Sequence, residues 1–308
     1  GKPYDTLGEA ITGDVSGSLK NMGVSYREIG LLANGTIDME AVEKEIHANP
    51  RIKVVFFQRS RGYAWREALS LEELQNAFTR IRALTEDIYI VVDNCYGEFT
   101  QTKEPTDLGA DLIAGSFIKN PGGGLAPTGG YVAGSAKAVE MAAQRLTVPG
   151  IGREVGSYAS SYLPFFQGLF IAPHVCAQSL KSAALFARVF ENLGMTTMPH
   201  SEAARSDIIQ ALQLPSAEAL IAFVQSIQQT APVDSFVTPE PWDMPGYQDQ
   251  VIMAAGTFIQ GASIELSADA PIRPPYIAYQ QGALTYAHGR LGVMGAVAQL
   301  YIKGFIRL

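Results

Sequence analysis

A carboxylate and a primary amine stand just beyond two apolar runs of this chain. Asp93 closes IYIVVD, and Lys119 lies two residues after LIAGSF, 26 positions further on. Neither run alternates with polar residues, as expected of strands covered on both faces. In open α/β sheets, ligands sit beyond the carboxyl ends of the strands. Alone, each residue has an ordinary reading: a solvated loop lysine, and an aspartate capping the next helix. Together they match the needs of pyridoxal 5'-phosphate (PLP), because Lys119 sits in Ser-x-x-Lys followed by Pro121 and Gly122–Gly124. The cofactor aldehyde requires a primary amine, and its pyridine nitrogen requires a carboxylate that keeps it protonated. The amine must be nucleophilic near neutral pH, which burial and cationic surroundings favour by lowering its pKa. The phosphate requires hydroxyl and backbone N–H donors. Ser116 offers a hydroxyl, and the glycines let backbone come close.

Strands and helices must place these residues. A short helix is expected from Tyr4–Asp5, and a strand at Val24–Ile29. Asp38 caps a helix to about Ala48, with Met39, Val42 and Ile46 on one face. KVVFFQ (53–58) reads as a buried strand. Ser70 and Glu73 form a capping box for a helix to about Thr85. Further strands are expected at 88–93, 112–117 and 130–133. Strands alternating with helices predict βαβ units and a mostly parallel sheet. The second half predicts an Ala-rich helix over 174–193, stopped by Gly194. Short strands follow near 196–199, 207–211, 251–255 and 263–267, with a helix over 217–229 and a terminal helix from about Ile277 to Val297. The fold class is therefore α/β: a large domain over 1–173, then a linking helix and a smaller α+β domain over 174–308.

Composition narrows the function. The chain has 308 residues, 47% hydrophobic and 17% charged, which is too apolar for a disordered chain. The 23 Lys+Arg against 30 Asp+Glu give a charge of −7, and no basic cluster points to nucleic acid. No apolar run approaches the ~20 residues that span a bilayer. Two cysteines make no disulfide framework, so a cytoplasmic setting is expected. Cys95 is read as a small packed residue rather than a nucleophile. The four histidines lack metal-ligand spacing, so no metal site is expected. TPEPWDMP (238–245) reads as a Pro-rich loop.

The stretches GKPYDTL, VVDNCYGEF, GSFIKNPGGGLAPTGGYVAG, PVDSFVTPEPWDMPGYQD and GTFIQGASIELSADAPIRPPY resemble the bacterial aluminium-resistance family, also labelled methionine gamma-lyase-like. That family lies among the fold-type I PLP-dependent enzymes of cysteine and methionine metabolism, and the resemblance covers essentially the whole chain. It implies that Lys119 is the Schiff-base lysine and Asp93 the partner of the pyridine nitrogen. It further implies that Ser116 binds phosphate, and that Tyr4 stacks on the pyridine ring and acts as an acid/base. Related lyases have Thr just before the lysine; here Ile118 stands there, so one phosphate hydroxyl is missing or comes from elsewhere. Arg273, in IRPPY, is a candidate for the substrate carboxylate, which suits a bidentate guanidinium. Arg59 and Arg61, directly after KVVFFQ, are candidates for phosphate or substrate carboxylate.

The implied activity is a carbon–sulfur lyase of cystathionine beta-lyase or methionine gamma-lyase type. Its substrate is a small sulfur amino acid, and its products are a keto acid, ammonia and a thiol. Lys119 would move the Cα proton, and Tyr4 or Lys119 would protonate the leaving sulfur. Two alternatives stand beside it: another PLP reaction, such as transamination or aldol cleavage, and a non-enzymatic role in aluminium resistance. A homodimer or homotetramer is implied, without nucleic-acid or membrane partners. Relatives carry a segment before the GKPYD motif, so the chain is expected to begin inside the subunit. The main phosphate cradle is then expected upstream of Gly1, with weak cofactor binding as the consequence.

Overall fold

The structure is a computed structural model and describes residues 1–307. Helix α1 (Asp5–Thr12) is followed by a long irregular stretch and by α2 (Met39–Ala48), where the Asp38 side chain accepts from the Ala41 N–H at 3.0 Å. Next come β1 (Val54–Gln58), α3 (Leu71–Leu84), β2 (Tyr89–Asp93), β3 (Leu112–Ser116), β4 (Gly130–Gly134) and α4 (Ala136–Ala143). The expected capping box of α3 is present: the Ser70 hydroxyl accepts from Glu73 N–H, and the Glu73 carboxylate accepts from Ser70 N–H. The apolar stripe Leu74, Ala77, Phe78 and Ile81 packs with Ile90, Val92 and Ile113 of the sheet. The sheet order is β1-β2-β3-β4, with β1, β2 and β3 parallel and β4 antiparallel to β3. Gln58 pairs with Asp93, and Asp93 with Ala114, so the carboxyl ends of three strands share one edge.

Helix α5 (Leu163–Asn192) begins at Leu163 rather than at 174 and passes through the expected boundary between 173 and 174. Pro173 sits inside it; an internal proline removes one helical hydrogen bond, which argues for a break in the sequence alone. By length and composition this helix could cross a membrane. Its second half is core: Cys176, Ala183, Phe186, Ala187 and Phe190 are fully buried.

The rest of the chain builds β5 (Thr197–Met198), β6 (Gln210–Gln213), α6 (Ala217–Gln229), β7 (Val251–Ala254), β8 (Ser267–Pro271), β9 (Ile277–Gln281) and α7 (Tyr286–Ile302). These five strands form an antiparallel sheet in the order β5-β6-β9-β8-β7. One face presents Leu212, Ile252, Ala268, Ala270 and Ala278 to α5, α6 and α7. The opposite face presents Ala211, Ile277 and Tyr279 to Tyr63, Trp65 and Tyr96 of the first half. The second sheet thus packs toward the carboxyl edge of the first.

Three local expectations are corrected. Val24–Ile29 forms no strand; Val24 and Tyr26 are exposed, and the segment is irregular. SIELS lies in a buried turn, and its strand begins only at Ser267. The start of the expected terminal helix is β9, all five residues of which are buried. A strand covered on both faces lacks alternation, so its pattern does not separate it from a buried helix.

Candidate active site

Strand β2 delivers Asp93 to the shared edge and then turns sharply. Gly97 N–H donates to Asn94 C=O at 2.9 Å, and Tyr96 takes a left-handed φ of 71°. This turn brings the Tyr96 ring under the lysine: Lys119 Nζ lies 4.5 Å from its centroid, within cation–π range. Strand β3 ends at Ser116, whose carbonyl accepts from Lys119 N–H at 3.3 Å. Asn120 then ties the two loops, donating through Nδ2 to the carbonyls of Tyr96 (3.0 Å) and Glu98 (2.9 Å).

The glycines after Lys119 serve packing. A Cβ on Gly122 would fall 1.8 Å from the Phe117 carbonyl oxygen, and one on Gly123 would fall 2.7 Å from the Gly168 carbonyl oxygen of α5. The run therefore seats the lysine loop against α5.

Asp93 Oδ1 accepts from Cys95 N–H at 3.1 Å. Tyr4, the residue before α1, donates its N–H to Gln58 Oε1 at 3.0 Å and is 41% exposed. Its phenol is pushed above its ordinary pKa by burial and by the nearby Asp93 charge. Burial pulls the Lys119 pKa down, but Tyr96, Cys95 and Asp93 outweigh it and carry the amine above its ordinary value. The expected lowering by cationic neighbours is thus corrected, because the groups around the amine are acidic. Burial pushes the Cys95 thiol up to about 12, so it stays protonated and is a poor nucleophile. Among the described residues, neither Asp93 nor Lys119 forms an ion pair within 4 Å, with each other or with anything else.

The structure brings Tyr4, Asp93 and Lys119 together, with Ser116 at the end of the neighbouring strand. Among the described residues, none of the three candidate arginines pairs with the Asp93 carboxylate. Arg59 is fully buried; its Nη1 donates to Asn94 Oδ1 (2.9 Å) and Gly97 C=O (3.0 Å), and lies 3.6 Å from Glu104. Arg61 is also buried, donates to Met198 C=O at 2.8 Å, and has Nε 3.5 Å from Asp207. Arg273 pairs with Asp249 at 2.8 Å with its side chain 46% exposed.

Sequence reasoning missed four residues. Tyr96 was readable as part of the turn after Asp93. Tyr63, Tyr247 and Asp269 were not, since each reaches the site from a different segment. Tyr63 sits in the loop after β1, Tyr247 beyond the Pro-rich loop, and Asp269 on β8. Asp269 Oδ2 accepts from Gln281 Nε2 at 2.8 Å, Tyr63 reaches the same carboxylate, and Lys119 acts on it electrostatically. Behind the site, Glu98 accepts from the Tyr131 hydroxyl at 2.8 Å, and burial pushes its carboxyl up to about 8.

The family model described as methionine gamma-lyase matches residues 1–301. The uncharacterized protein YnbB of Bacillus subtilis strain 168 is 51% identical over 309 residues, covering 99% of this chain and 73% of that protein. A solved carbon-sulfur lyase involved in aluminum resistance, from Clostridium novyi NT, is 49% identical with a TM-score of 0.92. That match covers 97% of this chain and 71% of the other. A cystathionine gamma synthase from Xanthomonas oryzae pv. oryzae shares the fold at 15% identity and a TM-score of 0.55, over 86% of this chain and 68% of the other.

Proposed function

The chain belongs to the methionine gamma-lyase family, and from that premise we propose that it is a PLP-dependent carbon–sulfur lyase acting on a sulfur amino acid. One observation carries the reading. An amine and a carboxylate stand beyond adjacent parallel strands, beside a stacking aromatic, and neither is neutralised by an ion pair. A donor set of this chemistry fits a group that needs both at once. Lys119 would hold the cofactor aldehyde, Asp93 the pyridine nitrogen, and Ser116 the phosphate, with Tyr4 and Tyr96 as aromatic neighbours. When bound, PLP supplies an electron sink conjugated to the substrate Cα.

The remaining work falls to the chain. Asp93 would keep a proton on the pyridine nitrogen. Lys119 Nζ takes the Cα proton, helped by its position over Tyr96. Tyr4 Oη, held protonated by burial and by Asp93, gives a proton to the departing sulfur. Arg273 is the one exposed arginine of the three candidates, and it would meet the substrate carboxylate by exchanging Asp249 for it. The homo-oligomer that belongs to this reading would use the start of α5, where Leu163, Phe166 and Phe170 are exposed at helical spacing.

The test is a spectrum and a product assay. Protein incubated with PLP should gain a near-visible absorbance band and release thiol and keto acid from sulfur amino acids. Lys119→Ala should lose the band and lower turnover by about 10³-fold or more. A variant that kept both would refute the assignment.

A further inference from the structure

Beside the candidate site stands a carboxylate that the proposed chemistry does not use. Asp269 lies on β8, paired across the sheet with Met253 and Tyr279, so all three share the face turned toward the first half. Its hydrogen-bond donor among the described residues is neutral, Gln281 Nε2 at 2.8 Å, with the Tyr63 side chain close by. Among the described residues, no Lys or Arg pairs with it within 4 Å. The one cation that acts on it is Lys119, beyond ion-pair distance and committed to the cofactor aldehyde in the lyase reading, so this half-covered carboxylate has room for a cation of its own. The neighbouring walls are aromatic. The Tyr63 ring lies 5.3 Å from that of Tyr279 and 5.5 Å from that of Tyr247. A carboxylate beside tyrosine rings is the chemistry that binds an ammonium group, through charge and through the ring faces.

Resting on the lyase reading, we propose that Asp269 with Tyr63, Tyr247 and Tyr279 forms an ammonium-binding subsite, and that it selects amino acids carrying a second ammonium group. Asp269 supplies the counter-charge, and the tyrosines exclude water and orient the cation. Tyr247 gives the loop after the Pro-rich segment a role: it closes the subsite from the solvent side. This loop lies against the start of the chain: a Cβ on Gly246 would fall 3.6 Å from Thr6 Oγ1.

The probes are lysine and norleucine, which differ chiefly in a terminal ammonium. Their affinities for the PLP-loaded full chain are measured by calorimetry and by perturbation of the cofactor absorbance. Wild type should bind lysine about tenfold more tightly than norleucine. Asp269→Asn should abolish that preference while norleucine binding stays unchanged. Norleucine binding with no preference for lysine in wild type overturns the subsite alone, as does an Asp269→Asn variant that keeps the preference or weakens both ligands equally. Absence of the cofactor band and of binding by either ligand overturns the lyase reading, and the subsite with it. Should Asp269→Asn fail to fold, Tyr247→Leu removes one wall from a surface loop. It should reduce the lysine preference selectively, and an unchanged preference there refutes the proposal.

Discussion

The acid-base character of the site is set by which charged forms are covered. Cys95 touches the key pair, yet burial holds its thiol protonated, so Cys95→Ser should keep turnover of the same order. A loss comparable to that of Lys119→Ala would make the thiol part of the chemistry. Glu98 makes a sharper case, because burial carries its pKa from the ordinary 4.5 to about 8. A carboxyl raised on folding stabilises the protein fully below about pH 4.5; that stability is lost as pH rises toward 8 and changes little beyond. Glu98→Gln removes the titration. Urea denaturation at pH 5 and pH 8 should show a smaller drop in the variant than in wild type, by on the order of a few kcal/mol. An identical drop in both would mean that Glu98 is ionised in the folded protein. At this scale the sequence marked where Asp93, Lys119 and Ser116 stand, because each lies at or just beyond a strand end. It was silent on Asp269, since an aspartate within SADAP gives no sign of which face it occupies until its strand has neighbours.

Elements turn these residues into a site through close backbone contact, and Gly168 tests this with two effects of opposite sign. Gly168 lies inside α5, where replacing Gly by Ala normally stabilises a helix by roughly 1 kcal/mol. A Cβ there would fall 2.2 Å from the Gly122 carbonyl oxygen, which is backbone and has little freedom to yield. Overpacking of this kind costs about 1–3 kcal/mol or more, so the packing effect should win. Gly168→Ala is expected to lower the unfolding midpoint. It should also weaken PLP binding, because the displaced strand of glycines carries Lys119; a stabilised variant with full cofactor affinity would show that α5 does not seat the lysine loop. The capping box of α3 offers a milder check: Ser70→Ala should cost about 1 kcal/mol in urea denaturation with cofactor affinity unaltered. Elements with local signals, such as α2, α3 and β1 to β3, were legible in the sequence. The first turns of α5 were not, because Pro173 mimics a helix boundary. Strand β9 was not, because burial on both faces erased its period.

The relation between the two sheets lies beyond local pattern, because residues about 140 positions apart make it. Ser60 and Arg61 leave the end of β1 and meet the segment before β6: the Ser60 hydroxyl donates to Asp207 Oδ2 at 3.2 Å, and Arg61 reaches Met198 C=O and Asp207. Arg61 and Asp207 are both buried, at 2% and 1% exposure. A buried pair adds little stability beyond what a well-packed apolar pair would give, but removing one partner leaves a charge without compensation. Arg61→Ala should therefore destabilise the protein by about 3–5 kcal/mol, while Ser60→Ala, losing one hydrogen bond to a charged group, should cost about 1.5–3 kcal/mol. The arginine was first read as an anion ligand, and its burial gives the discriminating measurement. If Arg61 works as a joint, Arg61→Ala at a temperature where it remains folded should bind PLP as wild type does, yet show a raised KM, because the second sheet no longer closes firmly on the cleft. If it holds phosphate, cofactor affinity should fall while the unfolding midpoint barely moves. The two readings predict opposite pairs of results, and a denaturation curve together with a cofactor titration on one variant decides between them.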